Sequence, residues 1–185
     1  MPRVAPARLR DLTPGEAAFV GVLALGNGGK IPNVFATIAR NRRLFRAWLR
    51  FAATVLLGRL PRRDAELLVS RTAWNSGSNY EWAHHARLAR VVGLDRAAIE
   101  RIAAGPDAIG LSAWDAAMLR AADELHVDQL IRDATWAALS ERYGDRQLIE
   151  LCFLVGHYQM LAMTLNSLGV QHEHTRPADP AREDV

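Results

Sequence analysis

From residue 33 to residue 168, apolar residues recur every three or four positions, and no stretch alternates apolar and polar residues over the length of a strand. This period is that of an amphipathic α-helix, in which residues three and four apart share a face. Glycines divide the run into segments of helix length, and the clearest stops are Gly58, Gly93, Gly105 and Gly144. The pattern predicts an all-α protein of about seven or eight helices.

The chain divides into three predicted parts. Residues 1–32 contain four prolines and a glycine-rich turn. They predict an irregular N-terminal arm with one short helix that starts near Thr13. Residues 33–170 predict the helical domain, which is long enough to bury a substantial core without disulfides. Residues 171–185 are rich in proline and charge, and they predict a disordered tail.

Charge and cysteine content restrict the partners and the compartment. The formal net charge is +3, and the arginines are spread along the chain apart from a local group at residues 40–50. Such a group is typical of a solvated helix face, so we expect no nucleic-acid partner. Cys152 is the single cysteine, which excludes a disulfide within the chain and fits a reducing, cytoplasmic location. The first residues lack the apolar core of a signal peptide.

The longest run without charge extends from Leu151 to His172. It is long enough to cross a membrane, but it carries polar residues such as His157, Gln159 and Asn166. The run therefore predicts a helix that is buried on all sides, at a subunit contact, and no membrane partner.

Candidate functional residues gather between Glu66 and Gly93, where two predicted helices are joined at Asn75-Ser76-Gly77. Glu66 lies on the first helix. At or just after the start of the second helix lie Ser78, Tyr80, Glu81, His84 and His85. Glu81 and His85 are four residues apart and share a face, with Ser78 one turn back along it. A carboxylate, a hydroxyl and an imidazole on one face can transfer a proton or hold a metal.

Structural interpretations compete with these functions. Ser78 and Glu81 have the spacing of a capping box, which explains both residues by helix stability alone. Glu81 and His85 also fit a surface ion pair. Glu81 and His84 have the Glu-x-x-His form of di-iron bundles, but no second copy of this motif exists, so we expect no metal and no cofactor. Cys152 lies among apolar residues in mid-helix, which favours a core role over a nucleophile.

The segment RTAWNSGSNYEWAHHARLARVVGL resembles the core of the carboxymuconolactone decarboxylase family, which includes the alkylhydroperoxidase D-like (AhpD-like) proteins. The similarity runs from about Asn33 to His172, and it includes the stretches RLFRAWL, LPRRDAELLVSRTAW and ELCFLVGHYQMLAMTLNSLGV. The resemblance implies an AhpD-like helical bundle. It also implies a homo-oligomer, as a dimer, trimer or hexamer.

The resemblance also assigns residues to a site. Peroxidase members have a Cys-x-x-Cys pair, a histidine four residues after the second cysteine, and a glutamate on the preceding helix. Matched to this chain, the histidine is His85, the glutamate is Glu66, and the cysteine positions fall on Ser78 and Glu81. Both thiols are absent, so the peroxiredoxin activity that the family label carries is not expected, because it needs two thiols that can meet. Decarboxylase members keep a glutamate and a histidine like Glu81 and His85, in a pocket that handles a lactone acid by proton transfer.

We therefore predict lyase-type proton transfer on a small polar or anionic substrate. The predicted acid-base residues are Glu66, Glu81 and His85, and the residues predicted to orient the substrate are Ser78, Tyr80 and His84. Two alternatives stay open. One is an oxidoreductase of the AhpD-like peroxidase class that uses Cys152 with an external thiol. The other is a non-catalytic binding protein on the same scaffold.

Overall fold

A computed structural model of the chain describes residues 2–8, 13–25 and 29–173, and these residues form helices and no strands. The all-α prediction is confirmed. The helices are α1 (Pro14–Leu25), α2 (Asn33–Ile38), α3 (Arg42–Leu56), α4 (Arg62–Asn75), α5 (Asn79–Val91), α6 (Arg96–Ala104), α7 (Ala113–Val127), α8 (Asp133–Ser140) and α9 (Asp145–Leu168). Most of the predicted tail, from residue 174 onward, lies outside the described residues.

The described residues belong to two compact units, and the first consists of residues 1–46 with residues 168–185. Its N-terminal segment is held by backbone hydrogen bonds, because the Arg3 N–H donates to the carbonyl of Leu168 and the Ala7 N–H to that of Ala36, both at 2.9 Å. The Asn33 N–H donates to the Glu173 carboxylate at 2.6 Å. The beginning of the chain is thus bonded to residues far along the sequence.

The second unit, residues 47–167, contains the main core, and α4 lies at its centre. Leu67 joins one buried cluster with residues of α5, α6 and α7, whereas Leu68 and Val69 join a second cluster with α7, α8 and α9. Neighbouring residues on a helix point about 100° apart, so α4 packs against neighbours on two sides. Each fully buried leucine contributes about 1.5–3 kcal/mol relative to exposure.

Within one chain the long helix α9 is buried on one face, and the predicted burial of its other face at a subunit contact stays a prediction. Its inner face contributes Leu151, Leu154 and Tyr158 to the core. The opposite face exposes Ile149, Phe153, Met160 and Met163. We call these four residues the α9 stripe. By length and composition α9 is long and apolar enough to cross a membrane, and half of its most apolar window is buried in the protein.

One buried polar cluster links α4 to the second half of the unit. The carboxylate of Asp64 accepts hydrogen bonds from the indole N–H of Trp114 at 3.1 Å and the hydroxyl of Tyr143 at 2.5 Å. We call Asp64, Trp114 and Tyr143 the Asp64 cluster. Beside it, the guanidinium of Arg63 donates two hydrogen bonds to Asp115, at 2.7 and 2.8 Å. Every member of the Asp64 cluster has a partner.

Candidate functional site

The turn between α4 and α5 positions the candidate residues. The Ser78 N–H donates to the carbonyl of Ala73 at 2.9 Å, and the Gly77 N–H donates to that of Trp74 at 3.0 Å. These two bonds are those of a Schellman motif. Gly77 has a φ of 58°, a left-handed conformation that favours glycine. Because the turn is this short, α5 begins directly after α4 ends and the two helices pack together.

His85 and Glu66 meet across this helix pair. The Nδ1 atom of His85 lies 2.9 Å from Oε2 of Glu66. The side chains are 11% and 14% exposed, so the pair is largely shielded from water yet still reachable. A neutral imidazole that donates from Nδ1 to a carboxylate leaves Nε2 as its basic nitrogen. The structure thus places Glu66 beside His85, as the family resemblance implies.

Glu81 is the most deeply buried acid of the site, at 3% exposure. Within the described residues, neither of its carboxyl oxygens has a hydrogen-bond partner. Burial raises the pKa of Glu81 from 4.5 to about 7, because an apolar environment disfavours the charged form. The nearby hydroxyl of Ser78 lowers the pKa of Glu81, by less than burial raises it. The predicted ion pair between Glu81 and His85 is not formed, since the imidazole bonds to Glu66 of the neighbouring helix instead.

The capping-box interpretation of Ser78 and Glu81 is wrong. Ser78 does occupy the N-cap position of α5, but its side chain accepts no capping hydrogen bond. Its hydroxyl is buried without a partner in the described part of the chain, and it lies near Glu81 without a well-formed hydrogen bond. Two buried polar side chains side by side with no partners are rare in native structures. We call Glu66, Ser78, Glu81 and His85 the Glu81 cluster.

A residue of α9 that the sequence reasoning missed borders this cluster. The ring of Tyr158 stands edge-on to the imidazole of His85, with 4.9 Å between ring centroids and an interplanar angle of 89°. The charges of Glu66 and Glu81 both raise the pKa of Tyr158, after burial as the largest cause. The sequence signal was weak. It was a histidine-tyrosine pair, His157 and Tyr158, within the charge-free run from Leu151 to His172.

The two remaining predicted substrate-orienting residues pack against each other. The rings of Tyr80 and His84 are 4.6 Å apart, and His84 also lies within hydrogen-bond distance of the Arg87 guanidinium, at 3.0 Å. Tyr80 is buried, whereas His84 is partly exposed. His84 and His85 are adjacent on α5 and therefore point about 100° apart. Only His85 is paired with Glu66.

Cys152 lies away from these residues in sequence, on α9, and is half-buried. Burial raises the pKa of its thiol, which lowers the thiolate fraction at neutral pH. The thiol borders an open hollow of about 360 Å³ that also involves Phe51, Phe153, Gly156 and Met160. In the described residues, no group of three or more histidine, cysteine, aspartate or glutamate side chains is arranged to hold a metal.

Comparison with known proteins gives one family and a common fold. Residues 42–124 match the profile of the "Carboxymuconolactone decarboxylase family". This stretch includes all four residues of the Glu81 cluster and excludes Tyr158. No curated protein sequence matches the chain.

Solved structures extend the fold over nearly the whole chain. An uncharacterized peroxidase-related protein from Ralstonia eutropha, with an AhpD core, is 19% identical over 94% of this chain and 93% of that one, with a TM-score of 0.83. A peroxidase-related protein from Silicibacter sp. is 17% identical over 92% of each chain, with a TM-score of 0.77. The debrominase Bmp8, solved in complex with 2,3,4-tribromopyrrole, is 16% identical over 92% of this chain and 91% of that one, with a TM-score of 0.77. At these identities the likeness shows an AhpD-like helical fold.

Proposed function

We propose that the Glu81 cluster transfers protons on a small polar or anionic substrate, in lyase-type chemistry. Residues 42–124, which match the carboxymuconolactone decarboxylase family, include the whole cluster. The observation that carries the proposal is Glu81, a buried carboxyl group with a pKa near 7 and with no hydrogen-bond partner among residues 2–8, 13–25 and 29–173. An acid whose pKa lies near the working pH can both give and take a proton. Burying such a group is costly for the fold, and perturbed acids of this kind concentrate at functional sites.

Each residue has a distinct role in this proposal. His85 removes a proton through Nε2, while Glu66 holds Nδ1 and stabilises the imidazolium that forms. Glu81 supplies a proton from its neutral form, which burial favours. The unpartnered hydroxyl of Ser78 hydrogen-bonds the substrate beside Glu81.

Further side chains orient the substrate. We assign this role to Tyr80 and His84, which pack together on α5. Arg62 is an exposed residue one turn before Glu66 on α4. Its positive charge lowers the pKa of Tyr158, whereas the charges of Glu66 and Glu81 raise it. A cation at this position supports an anionic substrate, because it offsets the negative charge of the site.

The proposal is tested by turnover of a library of small lactone acids and their neutral esters, followed by carbon dioxide release and by NMR of the products. We expect turnover of at least one acid, with the ester slower. His85→Ala and Glu81→Gln should each reduce kcat by about 100-fold or more, since each removes a proton-transfer group. Glu100→Gln, on the exposed surface of α6, is the matched control and should retain the parent rate.

Two results would contradict this function. Equal rates for the parent, His85→Ala and Glu81→Gln would show that the cluster does not carry the reaction. Tight binding of a library acid with no turnover by any variant would favour the non-catalytic binding protein instead.

An AhpD-like peroxidase reaction is the second candidate, because solved proteins of the same fold are described as peroxidase-related. In this chain it would depend on Cys152 and an external thiol. The raised pKa of the buried thiol disfavours this route. Peroxide consumption by the parent that is lost in Cys152→Ser would support it, and a Cys152 that resists alkylation in the folded protein would exclude it.

We also propose that the chain assembles with itself through the α9 stripe. Exposed apolar side chains in a row on one helix face are typical of an interface, and Phe153 is 56% exposed. Phe153→Asp should shift the particle mass measured by light scattering from that of an oligomer to that of a monomer. Ile109→Asp, at an isolated exposed apolar residue, is the control and should leave the mass unchanged.

A further inference from the structure

The imidazole of His85 needs more than one restraint to point in one direction. The torsion that turns a histidine ring is broad, so a single contact does not fix the ring plane. The hydrogen bond from Nδ1 to Glu66, at 2.9 Å, acts within the plane of the ring. It leaves the ring free to rock about that bond. A second contact must therefore act from another side.

Tyr158 supplies that contact from a third helix. Its ring lies edge-on to the imidazole, at 4.9 Å and nearly perpendicular. Tyr158 is itself buried and packed in the core with residues of α4, α7 and α9. A side chain held in this way keeps its own rotamer, so it can restrain a neighbour. Glu66 from α4 and Tyr158 from α9 thus hold His85 of α5 in two different directions.

The hydroxyl of Tyr158 does not take part as a base. Burial raises its pKa first, and the charges of Glu66 and Glu81 raise it further. Arg62 opposes this effect, as the smallest contribution. The group therefore stays a neutral phenol at any working pH. Tyr158 therefore acts on His85 through the contact of its aromatic ring.

We propose that Tyr158 is a positioning residue whose ring locks the imidazole of His85 with Nδ1 on Glu66 and Nε2 free for the reaction. The consequence for catalysis rests on the proposed function, whereas the locking itself does not. Tyr158 lies on α9, outside the segment that matches the family.

The experiment measures the tautomer of His85 by NMR of the full-length protein with ¹⁵N-labelled histidine. Spectra are taken at about pH 8.5, where an ordinary imidazole is neutral. The variants are Tyr158→Phe, which keeps the ring, and Tyr158→Leu, which removes it. Tyr143→Leu removes a buried tyrosine ring from the Asp64 cluster and is the matched control.

We expect the parent to favour the Nδ1–H tautomer by about tenfold, as a hydrogen bond to a carboxylate dictates. Tyr158→Phe and Tyr143→Leu should keep this ratio. In Tyr158→Leu the ratio should fall by about threefold or more, because the rocking ring loses its alignment with Glu66. If Tyr158→Leu does not fold, Tyr158→Met fills more of the same space and gives the same readout.

An unchanged tautomer ratio in Tyr158→Leu or Tyr158→Met, with only a lower melting temperature, would overturn the inference and leave Tyr158 as a core residue. The readout needs no substrate, so it separates this inference from the proposed function. If the parent turns over no substrate but the ratio falls as expected, the locking stands and the proposed reaction fails.

Discussion

Two buried carboxyl groups on neighbouring helices, Asp64 and Glu81, differ in whether the fold supplies them with hydrogen-bond donors. Asp64 on α4 is 8% exposed and accepts hydrogen bonds from Trp114 and Tyr143. Glu81 on α5 is 3% exposed, and its oxygens have no partner among the described residues. A buried acid with donors contributes to stability, whereas one without donors costs free energy. Asp64 is therefore the example of a structural acid in this fold, and Glu81 differs from it because its carboxyl group lacks donors among the described residues.

The helix caps repeat this contrast. Ser112 accepts a hydrogen bond from the Asp115 N–H at 3.0 Å and caps α7. Ser78 occupies the same position of α5, but its hydroxyl makes no such bond. Ser78 and Glu81, both unsatisfied among the described residues, lie next to each other, and Glu81 and Glu66 both act on the Tyr158 hydroxyl. The fold therefore concentrates its unsatisfied polar groups of α5 at one place.

The largest expected effect comes from breaking the satisfied cluster. Asp64→Ala should destabilise the protein by about 3 kcal/mol, because it leaves the Trp114 N–H and the Tyr143 hydroxyl buried without an acceptor. Urea unfolding followed by circular dichroism measures the change. A loss below about 1 kcal/mol would show that the two hydrogen bonds contribute little net stability, and the contrast with Glu81 would lose its basis.

Glu81→Gln should stabilise the protein, in contrast to Asp64→Ala, and the size of this stabilisation should depend on pH. The folded-state pKa of about 7 lies above the ordinary 4.5, so ionisation destabilises the fold. This cost is absent below pH 4.5, grows as the pH rises, and is fully present above pH 7. Glu81→Gln should therefore stabilise the protein by about 2–3 kcal/mol at pH 8 and by little at pH 4.5. Urea unfolding at both pH values measures this, and equal effects at both would contradict it.

The smallest expected effect is the difference between the two capping serines. Ser112→Ala should cost about 1 kcal/mol, because it removes the N-cap hydrogen bond of α7. Ser78→Ala should be neutral or slightly stabilising, because it removes a buried hydroxyl that has no hydrogen-bond partner in the part of the chain that the structure describes. The midpoints of urea unfolding compare the two variants directly. A larger loss in Ser78→Ala would restore the capping interpretation.

The sequence predicted the helices well, because periodic apolar residues and helix stops are local signals. The predicted stops at Gly93 and Gly105 both fall just after helix ends. It also predicted Glu66 beside His85, because the family resemblance matches both residues. The capping box failed, since spacing shows that two side chains can bond but not that they do. The environment of Glu81 depends on how deeply α5 is buried in the folded protein, and a local sequence pattern does not predict that depth.

The sequence also did not predict contacts between helices that are far apart along the chain. Tyr158 lies 73 positions after His85 in the sequence, and only the packing of α9 brings the two rings together. The same packing explains α9 itself. The charge-free run from residue 151 to residue 172 predicted burial on all sides at a subunit contact, whereas within one chain one face of α9 meets the core and the other carries the exposed α9 stripe. Hydrophobic composition cannot distinguish a core face from an apolar surface.

The ionisation of Glu81 tests the central claim most directly. The side-chain carboxyl of Glu81 is followed by ¹³C NMR as a function of pH in the full-length protein, with Glu81→Gln used to assign the resonance. We predict a midpoint at about pH 7, from a buried acid that holds its proton at neutral pH. A midpoint near 4.5 would show that the carboxyl group is solvated or bonded like any structural acid, and it would contradict the account.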